Sequence, residues 1–346
     1  MVHSPFTESP TTDPAALLRS RDGLYAPDLL VTAVAHLDLF NRLAEGSLDL
    51  KSVCSKLRIA ARPAGVMLTL FAAMELLEKQ DERYGLTPLA REFLTADSPW
   101  DLSPYLASLK QRPICEDILG VLRSDRPFGW ANRKDEQQWA KAMQDDAFAA
   151  AFTEAMDSRG AYLAPAMARA LPCGQRGRLL DVAGGSGIYA CAAVAEHPGI
   201  RAAVFEKPPG DRVARRAVER YGMSGRIEVI AGDMFAEDLP TGFDLHLFSN
   251  VLHDWAENTV AGLLRKSFDA LPAGGRLIIH DAHPDPSRCG PLEVAEYSVL
   301  LMLASEGKCY SVSELGRMLG SIGFEKVETI PTVAFRSLVV ADKPTV

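Results

Sequence analysis

The sequence predicts an α/β chain: a doubly wound, mostly parallel sheet in the C-terminal half, preceded by an all-helical unit. Three observations predict it. The run Leu179-Leu180-Asp181-Val182-Ala183-Gly184-Gly185-Ser186-Gly187 reads as a short buried strand that ends in an acid and breaks into a glycine turn, and Ile188 to His197 then read as a helix. From Arg178 onward, short apolar runs alternate with helical stretches, the pattern of parallel strands joined by crossover helices. Before Arg178 the apolar spacing is helical almost throughout.

At 346 residues the chain is long enough for two domains and a sizeable core. Its 47% apolar and 24% charged residues are those of an ordinary globular protein. A net charge of -8 argues against a nucleic-acid partner, which calls for a basic face. No apolar run has the length of a membrane span, and Met1 to Pro14, rich in Pro, Thr and Ser, lacks the apolar core of a signal peptide. Residues 1–14 are expected to be a flexible tail. The six cysteines include no CxxC pair, which points to reduced thiols and a cytoplasmic protein.

Residues 15–100 are expected to form one helical unit. Ala15 to Leu43 carries helical spacing that Pro27 breaks in two, and Gly46 ends it. Asp49 can cap a short helix, Leu50 to Leu57. Arg62 to Glu78 is a strongly apolar helix, and the polar turn Gln80 to Thr87 leads into a short strand. Three helices and a hairpin make a winged-helix-like pattern. In a DNA-binding protein the Arg62 to Glu78 helix would enter a groove, but it is apolar and has few basic residues. So much apolar helix suits packing against a second copy of the chain, as an isologous dimer. Residues 101–172 read as a helical linker that covers the substrate, punctuated by Pro104, Pro113 and Pro127. Within it Phe148, Phe152, Met156 and Tyr162 lie roughly on one helical face, which suits core packing at least as well as a ligand wall.

Residues 173–346 carry the sheet. Its expected strands are Arg178 to Val182, Ala202 to Glu206, Ile227 to Ala231, Phe243 to Ser249 and Arg276 to Asp281, with helices at Asp211 to Tyr221 and Thr259 to Leu271 between them. After a helix from Ser313 to Ser321, Glu325 to Ile330 and Arg336 to Ala341 read as a closing antiparallel pair, for seven strands in all.

The glycine turn by itself fits either a nicotinamide cofactor or S-adenosylmethionine. Glu206, at the end of the second strand, can accept both ribose hydroxyls of either. Asp181 would repel a pyrophosphate but suits a cationic methionine ammonium. Gly232-Asp233-Met234-Phe235 follows the third strand and offers a carboxylate to the adenine amino group and apolar side chains to the ring faces. The fourth strand ends in Ser249-Asn250-Val251-Leu252-His253-Asp254-Trp255; it adds Ser249 to the cofactor set and sets His253 at the crevice mouth. There an imidazole with an unperturbed pKa near 6.5 serves as a general base. Asp281, at the end of the fifth strand, can orient it as a carboxylate does in a triad.

Taken together, Asp-Val-Ala-Gly-Gly-Ser-Gly, Glu206, Gly-Asp-Met-Phe, Leu-His-Asp-Trp and Gly307-Lys308 resemble the S-adenosylmethionine-dependent O-methyltransferases of the caffeate and hydroxyindole type, which include many bacterial natural-product enzymes. The resemblance covers nearly the whole chain after the tail. It implies a winged-helix-like dimerisation domain, a Rossmann-like catalytic domain, a homodimer and a small aromatic acceptor. It also implies that Gly184, Gly185 and Gly187 pack against the cofactor, that Glu206 binds its ribose, and that Asp233 and Met234 bind its adenine. His253 is then the base that deprotonates the acceptor hydroxyl, with Asp281 beside it. Helical faces and family position add Phe152, Met156, Asn250, Tyr297 and Met302 as acceptor-pocket residues. The sequence departs from the family in two places: Ala183 replaces a glycine, and Gly307-Lys308-Cys309-Tyr310 lacks a second acid that many members place next to the base, with Glu306 nearby in sequence.

Three other readings compete. Methyl transfer to carbon, on a phenol ring or beside an aryl keto acid, uses the same base. A nicotinamide oxidoreductase fits the glycine turn but not Asp181. A metal site would gather His280, His283, His253 and Cys309, but His280 and His283 lack a helical i, i+4 spacing, so no resident metal is expected.

Overall fold

The computed structural model describes residues 5–6, 8, 10–128 and 146–345. Helices α1 (Ala15–Asp22), α2 (Ala26–Ala35) and α3 (Leu39–Ala44) open the chain. Where the spacing predicts one break, the backbone has two. Pro27 sits in the first turn of α2, where its missing N–H costs nothing, and Asp38 turns left-handed (φ 54°) before α3. A short strand β1 (Leu48–Asp49) leads into α4 (Leu50–Leu57), capped as expected: Ser52 N–H donates to Asp49 Oδ1 at 2.7 Å.

Helix α5 (Ala61–Ala73) ends five residues before the apolar pattern does. Glu75 takes φ 59°, Glu75 N–H bonds Ala72 O, and Leu76 N–H bonds Phe71 O, which is a Schellman stop. The released chain forms the hairpin β2 (Leu77–Gln80) and β3 (Arg83–Leu86), with sheet order β1-β3-β2. Helices α6 (Pro88–Phe93), α7 (Ser103–Ala107) and α8 (Pro113–Ser124) complete this half.

Helix α9 (Asp146–Ala170) crosses to the second half, where β4 (Arg178–Val182), α10 (Ile188–Glu196), β5 (Arg201–Glu206), α11 (Gly210–Arg220), β6 (Ile227–Ala231) and β7 (Leu245–Ser249) follow. Then come α12 (Glu257–Ala270), β8 (Arg276–Ala282), α13 (Leu292–Ala304), α14 (Val312–Ile322), β9 (Glu325–Pro331) and β10 (Arg336–Asp342). The seven-stranded order is β6-β5-β4-β7-β8-β10-β9, parallel except that β10 runs antiparallel to both neighbours. Alternation along β4 divides its side chains between two cores. Leu179 joins Leu163 and Met167 of α9 under α10, whereas Leu180 and Val182 join Leu263 and Leu264 of α12 on the other face.

Helix α13 has no single apolar stripe, because it is apolar on every side but the one that carries Glu293 and Glu296. Its residues Ala295, Val299, Met302 and Leu303 complete the helical core around Leu68, Leu70 and Phe71 of α5, and Glu296 pairs with Arg19 of α1 at 2.7 Å. Burying each of Val299, Met302 and Leu303 is worth about 1.5–3 kcal/mol. The tail is partly docked: Phe6 meets the Tyr221 ring at 4.9 Å, and Tyr162 O–H donates to Asp13 at 2.9 Å. A ring contact and a charge-assisted bond hold Phe6 and Asp13 where composition alone predicts freedom. Among the described residues, no helix is long and apolar enough to cross a membrane.

Candidate active site

Parallel pairing puts the carboxyl ends of β6, β5, β4, β7 and β8 along one rim, and each of these ends supplies a polar side chain. At β4 the glycine turn is compact. Gly187 has φ 78°, and a Cβ there would lie 2.8 Å from Val204; a Cβ on Gly184 would lie 2.6 Å from Asp181 Oδ2. Above Gly185 (φ 59°) a Cβ would meet nothing within 4 Å, so this is the face left for a ligand. Ala183 also takes a positive φ, 52°, where the family glycine would be unstrained.

Asp181 is fully buried behind this turn; neither of its oxygens has a partner at full hydrogen-bond geometry, although the Ala190 N–H favours its charged form. Burial, with the Glu206 carboxylate adding to it, pushes its pKa up to about 7. Glu206, at the end of β5, accepts from Gly185 N–H (2.8 Å) and Lys207 N–H (3.1 Å), and burial pushes its pKa up to about 7 as well. After β6, Asp233 Oδ2 lies 2.7 Å from Lys207 Nζ, and Oδ1 accepts from Phe235 N–H. Burial works against its charge, but these contacts hold its pKa below the usual range. Lys266 fastens this loop by donating to the carbonyls of Met234, Phe235 and Glu237, and the Phe235 ring stands edge-on to Trp255 at 4.6 Å. Helix α9 closes the turn from above: Ser186 Oγ donates to Asp157, and Gly160 lets α9 approach Ile188.

His253 sits in a 3-10 turn (Leu252–Asp254) after β7 and is almost fully buried. Its Nδ1 lies 2.7 Å from Asp281 Oδ1 at the end of β8. Burial works against the Asp281 charge too, but His253 outweighs it and draws the carboxyl pKa down to about 2, so Asp281 is an acceptor only. His253 Nδ1 therefore donates, and Nε2 is left with its lone pair. Burial pulls the imidazole pKa down, but Asp281 and Asp254 outweigh it, and the net shift is upward. Nε2 is 3.8 Å from Asp254 Oδ1, the second acid next to the base, which stands adjacent to it in the chain. Glu306 is exposed, and Cys309 is a buried thiol whose pKa burial raises well above the ordinary range. Gly307 presses on the base from behind: a Cβ there would lie 2.0 Å from the His253 carbonyl.

The acceptor-pocket residues divide. Tyr297 stands edge-on to His253, ring centroids 5.6 Å apart. Asn250 Nδ2 donates to Tyr189 Oη and its Oδ1 is buried without a partner. Met156 lies against Arg159, and Phe152 stacks on Phe148 at 6.5 Å. Met302 is a correction: it is fully buried in the helical core with Val299 and Leu303, because α13 turns that face toward α5. Ser249 Oγ engages His280 Nδ1 at 2.8 Å, and His283 Nδ1 donates to Tyr310 O. Among the described residues no three His, Cys, Asp or Glu side chains gather as a metal site would require. Sequence reasoning missed Lys207, Arg159 and Arg336. Arg159 had a signal, since it follows Met156 by three residues and so shares its helical face.

The orphaned Asp181 carboxylate, the open face over Gly185 and the rim of acids fit a cationic nucleoside rather than a diphosphate. Fold and site together thus define a Rossmann-like methyltransferase. Residues 119–325 match the O-methyltransferase domain, and residues 18–96 match the O-methyltransferase dimerisation domain. The chain belongs to the S-adenosylmethionine-dependent O-methyltransferases. It is 29% identical to 3-hydroxy-5-methyl-1-naphthoate 3-O-methyltransferase of Streptomyces sahachiroi, over 92% of this chain and 91% of that protein. It is 28% identical to the L-tyrosine C(3)-methyltransferase of Streptomyces lavendulae, over 88% and 85%. A crystal structure of an O-methyltransferase family 2 protein from Planctomyces limnophilus in complex with apigenin superposes with a TM-score of 0.88 at 34% identity, over 99% of both chains.

Proposed function

We propose that the enzyme methylates a hydroxyl of a small aromatic, secondary-metabolite-like acceptor, with His253 as the general base. The observation that carries this reading is the 2.7 Å bond from His253 Nδ1–H to Asp281, which leaves Nε2 free at the strand ends beside the cofactor rim. S-adenosylmethionine, when bound, supplies a methyl group already activated by its sulfonium. Asp181 would hold the methionine ammonium, Gly184, Gly185 and Gly187 its backbone face, Glu206 the ribose hydroxyls, and Asp233, Met234 and Phe235 the adenine, with Ser249 behind.

The protein's own work is to position the acceptor and to remove one proton. A phenol with a pKa near 10 is mostly protonated at neutral pH, so a placed base contributes about 10²–10⁴-fold. Nε2 would take the hydroxyl proton and Asp281 would stabilise the imidazolium that results; bound S-adenosylmethionine would supply the methyl group to the oxygen as its carbon–sulfur bond breaks, leaving S-adenosylhomocysteine. Holding the oxygen about 3–3.5 Å from the methyl carbon supplies the rest. Through its dimerisation domain the chain works as a homodimer, and no nucleic acid takes part.

Two observations favour a second reading, transfer to a ring carbon: a neutral, buried Cys309 thiol stands where the family resemblance implies a second acid, and a tyrosine C-methyltransferase is among the relatives. Incubation with methyl-labelled cofactor and a panel of phenols tests both. Labelled aryl methyl ether supports the first reading, ring-methylated phenol the second, and a His253→Ala variant with undiminished turnover removes the base assignment.

A further inference from the structure

Beside His253 lies a group of polar atoms that the proposed chemistry leaves unused. Arg159 Nε and Arg336 Nε are both buried and have no hydrogen-bond partner. They come from distant parts of the chain. Arg159 is on α9, and Arg336 opens β10 opposite Ala282, the residue after Asp281. Both converge on Tyr297. Arg159 Nη1 donates to its Oη at 3.1 Å, and the Arg336 guanidinium lies 4.9 Å over its ring. The same ring is edge-on to the base.

The charges in this group are unevenly matched. Arg336 has Asp22 at 3.4 Å, and His253 has Asp281. Among the described residues Arg159 bonds only a tyrosine oxygen and, weakly, Met156 Sδ; no carboxylate lies within ion-pair distance of it, and Asp22 acts on it only from farther away. A guanidinium taken out of water without a counterion is costly. A purely structural clamp would spend the Nε donors, whereas here both are held back. Because Tyr297 Oη accepts from Arg159, its own hydroxyl proton is free to donate, and burial, holding its pKa up at about 12, keeps that proton in place.

We propose that the acceptor carries a carboxylate besides its hydroxyl, and that Arg159, Arg336 and the Tyr297 hydroxyl receive that carboxylate while the hydroxyl faces His253 Nε2. This rests on the methyltransferase reading above and narrows its acceptor to hydroxyaryl acids. Arg159 offers its Nε beside an Nη2 that holds only Met156 Sδ, and Arg336, whose Nη1 and Nη2 are engaged by Ala334 O and Asp22, offers its Nε alone; with the Tyr297 hydroxyl these donors match the two oxygens of a carboxylate, and an apolar phenol would leave all three groups unsatisfied. The relatives divide on this point, one being named for a hydroxynaphthoate and another holding apigenin.

The test uses the full-length enzyme loaded with S-adenosylhomocysteine and calorimetry with 3-hydroxy-2-naphthoic acid and its carboxamide, which differ only in the anion. The acid is expected to bind at least tenfold more tightly. Arg159→Gln should bring the ratio of acid to amide affinity close to one, and Arg336→Lys, which keeps the charge next to Asp22, should lower that ratio severalfold. Equal affinities in the wild type, no binding of either probe, or an unchanged ratio in Arg159→Gln would overturn the proposal. Arginine-dependent binding of the acid without any methyl transfer would leave the anion site standing and remove the hydroxyl-methylation reading instead.

Discussion

Asp281 Oδ1 and His253 Nδ1 stand 2.7 Å apart, and this one bond decides which nitrogen of the imidazole faces the crevice. It joins the end of β8 to the turn after β7, two adjacent parallel strands whose register pairs Ser249 with His280. The sheet itself therefore holds the base and its orienting acid together.

Replacing Asp281 with Asn removes the charge that keeps the imidazole pKa raised and frees the ring to adopt the other tautomer. The rising limb of kcat/KM against pH, which requires neutral His253, should start above pH 6.5 in the wild type. In Asp281→Asn it should move to lower pH while the plateau falls at least tenfold. A limb that stays in place, seen in a pH-rate profile, would assign it to another group.

His253→Ala should cut turnover at least tenfold and leave cofactor affinity within about twofold, because the cofactor candidates lie at the ends of β4, β5, β6 and β7 and not in the 3-10 turn that carries the base. Glu206→Ala should do the reverse. Its carboxylate links the Gly185 and Lys207 N–H groups, so its loss should weaken S-adenosylmethionine binding at least tenfold in calorimetry.

Asp181 and Glu206 make the empty enzyme sensitive to alkali. Both are buried carboxyls with pKa values near 7, well above their unfolded values near 4. Between pH 4 and 7 the folded state holds protons that the unfolded state has lost, so their stabilising contribution falls as pH rises through 7. Asp181→Asn should therefore raise the Tm of the cofactor-free protein by a few degrees at pH 8 and by much less at pH 5, while weakening cofactor binding. Melting curves at the two pH values check the sign.

Gly307→Ala tests the support behind the base. A methyl group 2.0 Å from the His253 carbonyl must push the 3-10 turn outward. The expected result is a loss of at least tenfold in kcat with cofactor affinity kept, since a displacement of about 1 Å near the reacting atoms costs on that order or more.

Much of this was legible in the sequence, and the boundaries show why. Strand β4 falls where its apolar run does, because a central parallel strand covered on both faces stays apolar until a turn cuts it off, and the edge strand β6 falls where Ile227, Val229 and Ile230 do. Asp181, Glu206 and Asp233 could be placed at strand ends for the same reason. The end of α5 was not legible: Glu75 makes a left-handed stop that sequence rules assign to glycine. Asp254 was hidden as well. The sequence pointed to a missing acid near Cys309, whereas proximity to Nε2 comes from a residue adjacent to the base. Arg159 and Arg336 come together only through tertiary packing, 177 residues apart in the sequence.

Helix α13 has a consequence for how this protein is made. The apolar faces of α2, α4 and α5 are synthesised first, yet Ala295, Val299, Met302 and Leu303 close over them from near the far end of the chain. On the ribosome, those first helices must wait with greasy surfaces uncovered until almost all of the polypeptide has emerged. Truncated products should accordingly clump rather than fold, and yield in a heterologous host should respond to chaperone supply more than to codon choice.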